Sequence, residues 1–259
     1  HDEEAGGTGA AAMARLVRER GAAPVLVMDE GLAITQGLMP GVSGPVALLG
    51  TGQKGYLSVE LRVAAEGGHS SMPPPRGAVF ALAQALVRLE EHPFPAQLRG
   101  PADEMFDWMG PEMTAPLRVV MTNRWLFAPL VTRLLLAKPS TAALLRTTTA
   151  LTMLQAGVKD NVLPTAATAV VNFRIRPSES SASVLAEVRR LLGPQVTVTA
   201  LGTPIEPSRP SSPESPRFTA VARSLRTVSP QVLVAPALML GYADARYYEG
   251  MSADIYRFR

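Results

Sequence analysis

Glu3 and Glu4 stand side by side ahead of the run Gly6-Gly7-Thr8-Gly9. Adjacent carboxylates suit a metal hydrolase, in which one ligates a divalent cation and its neighbour takes a proton from metal-bound water. The helix dipole also favours acidic residues near a helix N-terminus, so the pair has a purely structural reading as well. Asp29 closes the run Pro24-Val25-Leu26-Val27-Met28 and is expected at a strand's carboxyl end. There it is either a hard oxygen ligand for zinc, manganese or magnesium, or a loop cap. His69, in Gly68-His69-Ser70-Ser71-Met72-Pro73-Pro74, is flanked by turn formers and reads as an exposed loop imidazole. Such a group can donate a hydrogen bond to a developing oxyanion. Asn161 and Arg174 lie thirteen residues apart. A guanidinium fork matches a carboxylate bidentately and an amide adds a bond to the same ligand, against the plainer reading of a turn Asn and a surface Arg.

Two other chemistries fit the same sequence less well. Gly7, Gly9 and Ala12 fit G-x-G-x-x-A, and Asp29 lies 20 residues beyond Gly9, near the spacing of a dinucleotide fold. That fingerprint needs a strand before the glycines, whereas His1-Asp2-Glu3-Glu4 is polar and its carboxylates would repel a pyrophosphate. A nucleophilic serine would need G-x-S-x-G, and the surroundings of Ser43 and Ser252 both fail that spacing.

The elements that must position these groups follow from periodicity. Residues 6–20 suit a helix and 24–28 a buried strand. Residues 55–66 alternate as a half-buried strand, followed by a helix over 77–91, strands over 147–155 and 166–176, a helix over 181–192 and a strand over 195–201. This β-α-β-β-α-β order is the ferredoxin-like pattern. Residues 203–216 read as a linker or long loop, a helix is expected over 217–227, and an apolar run fills 231–240. Between the first helix and second strand of the ferredoxin-like set, residues 93–146 contain Trp125-Leu126-Phe127-Ala128-Pro129, interrupted as a membrane span by Asn123, Arg124, Pro129 and Arg133. An amphipathic helical insertion is expected, shaping a greasy substrate channel or touching a lipid surface, although membrane contact is not the expected mode of partnership.

At 259 residues, 47% hydrophobic and 18% charged, the chain is too apolar for disorder and long enough for one or two domains. Its net charge of +3 is scattered, so no nucleic-acid partner is read. Cysteine is absent, which excludes disulfides, thiolate metal sites and a Cys nucleophile but assigns no compartment. The opening on His1 without Met, and the close at Arg259 straight after a strand-like run, read as a piece of a longer chain.

Taken together, HDEEAGGTGA at 1–10, VMDEG at 27–31, GHSSMPP at 68–74, KDNVLPTAATAVVNFRI at 159–175 and the closing DARYYEGMSADIYRF resemble the dinuclear-zinc family of aminoacylases, Gly-X carboxypeptidase, carboxypeptidase S, carnosinase-type dipeptidases and succinyl-diaminopimelate desuccinylase. The carboxypeptidase S branch, with the secreted N-acyl-amino-acid hydrolases, shares the GHSSMPP and IYRF wording. The resemblance implies an α/β fold: an incomplete zinc-peptidase catalytic domain, with a mixed sheet and flanking helices, interrupted by a ferredoxin-like lid and dimerisation domain. It implies boundaries at 1–53, 54–205 (with the insertion 93–146) and 206–259. It also implies two zinc ions, with manganese or cobalt as substitutes, and a homodimer formed through the inserted domain. Glu3 matches the general base, Glu4 and Asp29 metal ligands, one on each zinc, His69 an oxyanion-stabilising group often supplied across a dimer interface, and Asn161 with Arg174 a grip on the substrate carboxylate. The substrate class implied is a small peptide or N-acyl amino acid.

The chain also departs from the pattern. The upstream His-x-Asp, the bridging Asp and the late His are not in it, and the usual Gly-Thr-Asp reads Gly241-Tyr242-Ala243-Asp244. The expectation is weak zinc binding and no activity from this piece alone. The rival from another class is a non-catalytic binding protein that keeps the fold.

Overall fold

The computed structural model describes residues 8–259. In chain order the elements are α1 Thr8–Glu19, β1 Val27–Leu32, β2 Ile34–Gln36, β3 Pro45–Gln53, β4 Gly55–Ala64, β5 Gly68–His69, α2 Ala78–Glu91, α3 Pro101–Met109, α4 Leu117–Thr122, α5 Arg124–Leu136, α6 Pro139–Leu145, β6 Thr148–Ala156, β7 Val162–Leu163, β8 Ala166–Ile175, α7 Ser181–Leu192, β9 Thr197–Ile205, α8 Pro216–Val228, β10 Leu233–Met239 and β11 Ile255–Phe258. They form two compact units. Among the described residues, unit 1 comprises 8–54, 96–145 and 208–259, and unit 2 comprises 55–95 and 146–207.

Unit 1 is built on a mixed sheet in the order β1-β11-β3-β10, with β2 pairing β3. β3 runs parallel to β10 and antiparallel to β2 and β11. Its side chains alternate between two apolar layers, as strand geometry requires. Val46 and Leu48 pack with Met105, Phe106 and Met109 of α3, Val131 and Leu135 of α5 and Leu145 of α6. Ala47 and Leu49 face Phe218 and Ala222 of α8 and Tyr256 of β11. Residues 96–145 thus group with unit 1, whereas the expected boundaries drew the insertion 93–146 within the inserted domain. A strand that is apolar on both faces needs two covers, and the second cover of β3 is α3–α6.

Unit 2 is a four-stranded antiparallel sheet in the order β6-β8-β4-β9. With α2 and α7 between strands, the set β4-α2-β6-β8-α7-β9 is the ferredoxin-like arrangement. Leu57, Val59, Leu61 and Val63 of β4 and Ala167, Ala169, Val171, Phe173 and Ile175 of β8 point to one face. Leu82, Ala85 and Leu89 of α2 and Val184, Val188 and Leu191 of α7 cover it. Ser180 starts α7 with a capping box, accepting from the Ser183 backbone N–H while the Ser183 hydroxyl accepts from the Ser180 N–H. A two-stranded ribbon, β5 with β7, stands apart from that sheet.

Candidate functional site

Glu3 and Glu4 lie outside the described residues, as does Gly7. Gly9 and Ala12 fall within α1. Asp29 is not at a strand end: β1 runs from Val27 to Leu32 and places it inside the strand, paired with Arg257 of β11. Its two carboxylate oxygens accept from different backbone N–H groups, Oδ1 from Glu30 at 2.8 Å and Oδ2 from Ala245 at 2.5 Å. The carboxylate therefore pins the turn that follows Ala243. In that turn Arg246 stacks over Tyr242 and Tyr247, its Cζ 5.0 and 4.6 Å from the ring centroids, and pairs with Asp244 at 3.7 Å.

Beneath Asp29 sits a buried polar group that sequence reasoning missed. Arg257 is 0% exposed, and so is Gln53. Arg257 Nε donates to Gln53 Oε1 at 2.7 Å, and the same oxygen accepts from the Ala243 N–H at 3.1 Å. Burial pushes the guanidinium pKa down to about 10, while Glu249 and Asp29 pull it back up. The Glu249 carboxyl is raised by burial and lowered in turn by Arg257 and by the Arg209 N–H. Room for the Arg257 stem comes from a missing side chain, since a Cβ at Gly31 would lie 2.7 Å from Arg257 Cβ. The only sequence signal was an Arg in the middle of the four-residue strand Ile255-Tyr256-Arg257-Phe258. Elsewhere in unit 1, a cavity of about 820 Å³ is lined by Arg209, Ser212, Arg217, Glu249 and Asp254 among others, and carries none of the nominated residues.

The donor set gives a partial answer about a metal. Asp29 is a hard carboxylate of the right kind, but among the described residues no three His, Cys, Asp or Glu side chains converge on one point. The described residues thus do not make a metal centre by themselves.

In unit 2, the ribbon brings two nominated residues together. His69 of β5 pairs with Val162 of β7, and Ser70 N–H donates to the Asn161 carbonyl at 3.2 Å. The Ser71 backbone N–H donates to His69 Nδ1 at 3.2 Å, with Ser71 Oγ 2.8 Å from the same nitrogen. A backbone N–H can only donate, so Nδ1 is the acceptor and the neutral ring carries its proton on Nε2. The imidazole is exposed, whereas Asn161 Oδ1 is buried with no hydrogen-bond partner among the described residues.

Arg174 is elsewhere. It pairs with Tyr56 at the start of β4 and lies over that ring, Cζ 4.9 Å from the centroid. The ribbon is attached at the opposite end of the same β4–β8 ladder, where Ala64 pairs with Ala166. Eight residues of extended strand separate Ala166 from Arg174, about 26 Å. Asn161 and Arg174 therefore do not form one grip within a single chain. Most of the thirteen residues between them run along β8.

Residues 51–197 match the family described as a peptidase dimerisation domain. Over 262 residues, all of this chain, it is 38% identical to an N-fatty-acyl-amino acid synthase/hydrolase, PM20D1, of Xenopus tropicalis, covering 51% of that protein. It is likewise 38% identical to a probable carboxypeptidase S-like 2 of Dictyostelium discoideum, covering 50%. The chain thus spans about half the length of these curated relatives. Among solved structures, an M20 family metallo-carboxypeptidase of Sulfolobus solfataricus shares the fold with a TM-score of 0.64 at 18% identity, covering 99% of this chain and 60% of that one.

Proposed function

The chain belongs to the M20 peptidase family, and from that premise we propose that the protein containing it hydrolyses the amide bond of an N-acyl amino acid or a short peptide ending in a free carboxylate. The observation that carries this reading is the β5–β7 ribbon. It exposes an imidazole whose Nδ1 is occupied and whose Nε2–H is the remaining donor, the form that stabilises an oxyanion at the scissile carbonyl. Glu3 is the base, taking the proton of the attacking water and delivering it to the leaving nitrogen. Glu4 and Asp29 would be this chain's share of the ligands to a pair of divalent ions, zinc or its substitutes manganese and cobalt, which when bound would polarise the carbonyl and acidify water. Arg174 takes the substrate carboxylate, and Asn161 adds its amide near His69.

The spacing of the two groups on unit 2 leads to the second part of the reading. Groups held at the two ends of a strand ladder about 26 Å long cannot both touch one small molecule from one chain. We therefore assign the complete site to a homodimer in which the His69 and Asn161 of one copy serve the substrate held by Arg174 of the other. Strand β6 supports such pairing: it is an edge of the sheet, and Leu151, Met153 and Leu154 on it are 51, 52 and 60% exposed.

The test is a rate comparison on the full-length protein between an N-acyl amino acid and its C-terminally amidated analogue. The free acid should be turned over at least tenfold faster in kcat/KM, and Arg174→Ala should remove that preference by raising KM. Binding of both compounds without turnover would point instead to a non-catalytic binding protein on this fold.

A further inference from the structure

Helix α5 has leucines, a Phe and a Val on every side, yet only part of it is covered. Val131 and Leu135 are buried against β3 and α3, while Trp125 is 82% exposed, Leu126 58%, Leu130 47% and Leu134 57%. Val119 of the preceding α4 adds another apolar side chain at 54% exposure. A helix that is apolar all round but half uncovered has a surface still to bury. Its charges are of one sign. Between Glu112 and Asp160 the chain carries no Asp or Glu, but it has Arg118, Arg124, Arg133, Lys138, Arg146 and Lys159. Arg133 lies among the exposed leucines and Lys138 follows the helix, both exposed. The carboxylates of the packed helix α3, Asp103 and Asp107, pair with Arg124 and not with Arg133 or Lys138.

We propose that the outer face of α4–α5 is a docking surface for an anionic lipid bilayer, with Trp125, Leu126, Leu130 and Leu134 entering the interface and Arg133 and Lys138 meeting lipid phosphates. The combination of an exposed Trp, a leucine ridge and flanking cations is that of a helix lying in the membrane plane. Among the described residues no helix is long and apolar enough to cross a membrane, and α5 has 13 residues, so the contact is superficial. A second copy of the chain is a poorer occupant, because a two-fold contact through this face would crowd Arg133 and Lys138 of both copies into one interface. The inference stands apart from the amide-hydrolysis reading and survives its failure.

The experiment is co-sedimentation of the full-length protein with phosphatidylcholine vesicles containing about 30% phosphatidylglycerol, beside pure phosphatidylcholine vesicles, at low and high salt. Binding to the anionic vesicles that weakens with salt is expected. Trp125→Ser with Leu130→Ser should reduce partition about tenfold, as should Arg133→Glu with Lys138→Glu. All four side chains are exposed, and unchanged circular dichroism confirms folding. No partition into the anionic vesicles overturns the proposal, as does partition that neither double variant alters. A change in sedimentation coefficient in the Trp125/Leu130 variant, with vesicle binding untouched, overturns it in favour of self-association.

Discussion

His69 is defined by what its neighbours leave it. Ser71 occupies Nδ1 from two sides, which fixes the tautomer and turns Nε2 into a donor. Other residues are held against the cost of burial. Glu104 of α3 has its carboxyl raised by burial and then by Asp107, Asp103 and Glu214, and its Oε2 is buried without a hydrogen bond. A carboxyl whose folded pKa lies above its unfolded value favours folding below the unfolded pKa and loses that contribution as pH rises through the folded one. As pH rises through the folded pKa, the Glu104 carboxyl therefore becomes a burden on the fold. Glu104→Gln should raise the thermal midpoint at pH 7 and leave it unchanged near pH 4, as differential scanning fluorimetry can show. Residue by residue, the sequence announced the exposed His69 well, because turn formers surround it. It did not announce the Arg257–Gln53 pair, because their contact joins strands 204 positions apart and no local pattern encodes it. Asp29 illustrates a mixed outcome: the residue type pointed to a ligand, while the structure shows both oxygens also serving the backbone.

At the scale of elements, alternation and helical periodicity sufficed for unit 2, where each strand has one buried face and each helix one apolar stripe. The expected 55–66 strand and 77–91 helix appear as β4 and α2 within a residue or two at each end. Unit 1 was harder to read. β3 is buried on both faces and shows no alternation, so its central position was not deduced. The helices that cover it come from a segment far along the chain, inside the boundaries expected for the other domain. This placement has a consequence. Met109 of α3 is 0% exposed and belongs to the layer over Val46 and Leu48. Met109→Ala should cost about 2–5 kcal/mol. By hydrogen exchange, the amides of β3 and β10 should lose protection while those of β4 and β8 keep theirs. Loss confined to β4 and β8 would place the insertion with unit 2 after all. At Gly31 the opposite error is costly: Gly31→Ala would force a Cβ against Arg257 and should cost about 1–3 kcal/mol through overpacking, read as a lowered denaturant midpoint.

For the whole molecule, the decisive observation is that one ferredoxin-like unit carries His69 and Arg174, the two groups proposed for the site, at opposite ends of one two-strand ladder. A long β4–β8 ladder makes the separation rigid, since the two strands pair from Gly55–Ile175 through to Ala64–Ala166 without a break. A site needing both groups must be assembled from two copies, and the exposed edge strand β6 is the surface proposed to join them. The sequence could suggest a dimer only by resemblance, because nothing in a linear pattern says which end of a strand a residue will face. The most direct test mixes two impaired variants of the full-length protein, His69→Ala and Arg174→Ala, under conditions that exchange subunits, and assays them at a substrate concentration well below the wild-type KM, where both are nearly silent. Random pairing makes half the dimers mixed, and each mixed dimer keeps one of its two sites whole, so about a quarter of the wild-type activity should return. If the mixture stays as inactive as its components while mixed dimers are shown to form, each copy completes its own site and the central claim is wrong.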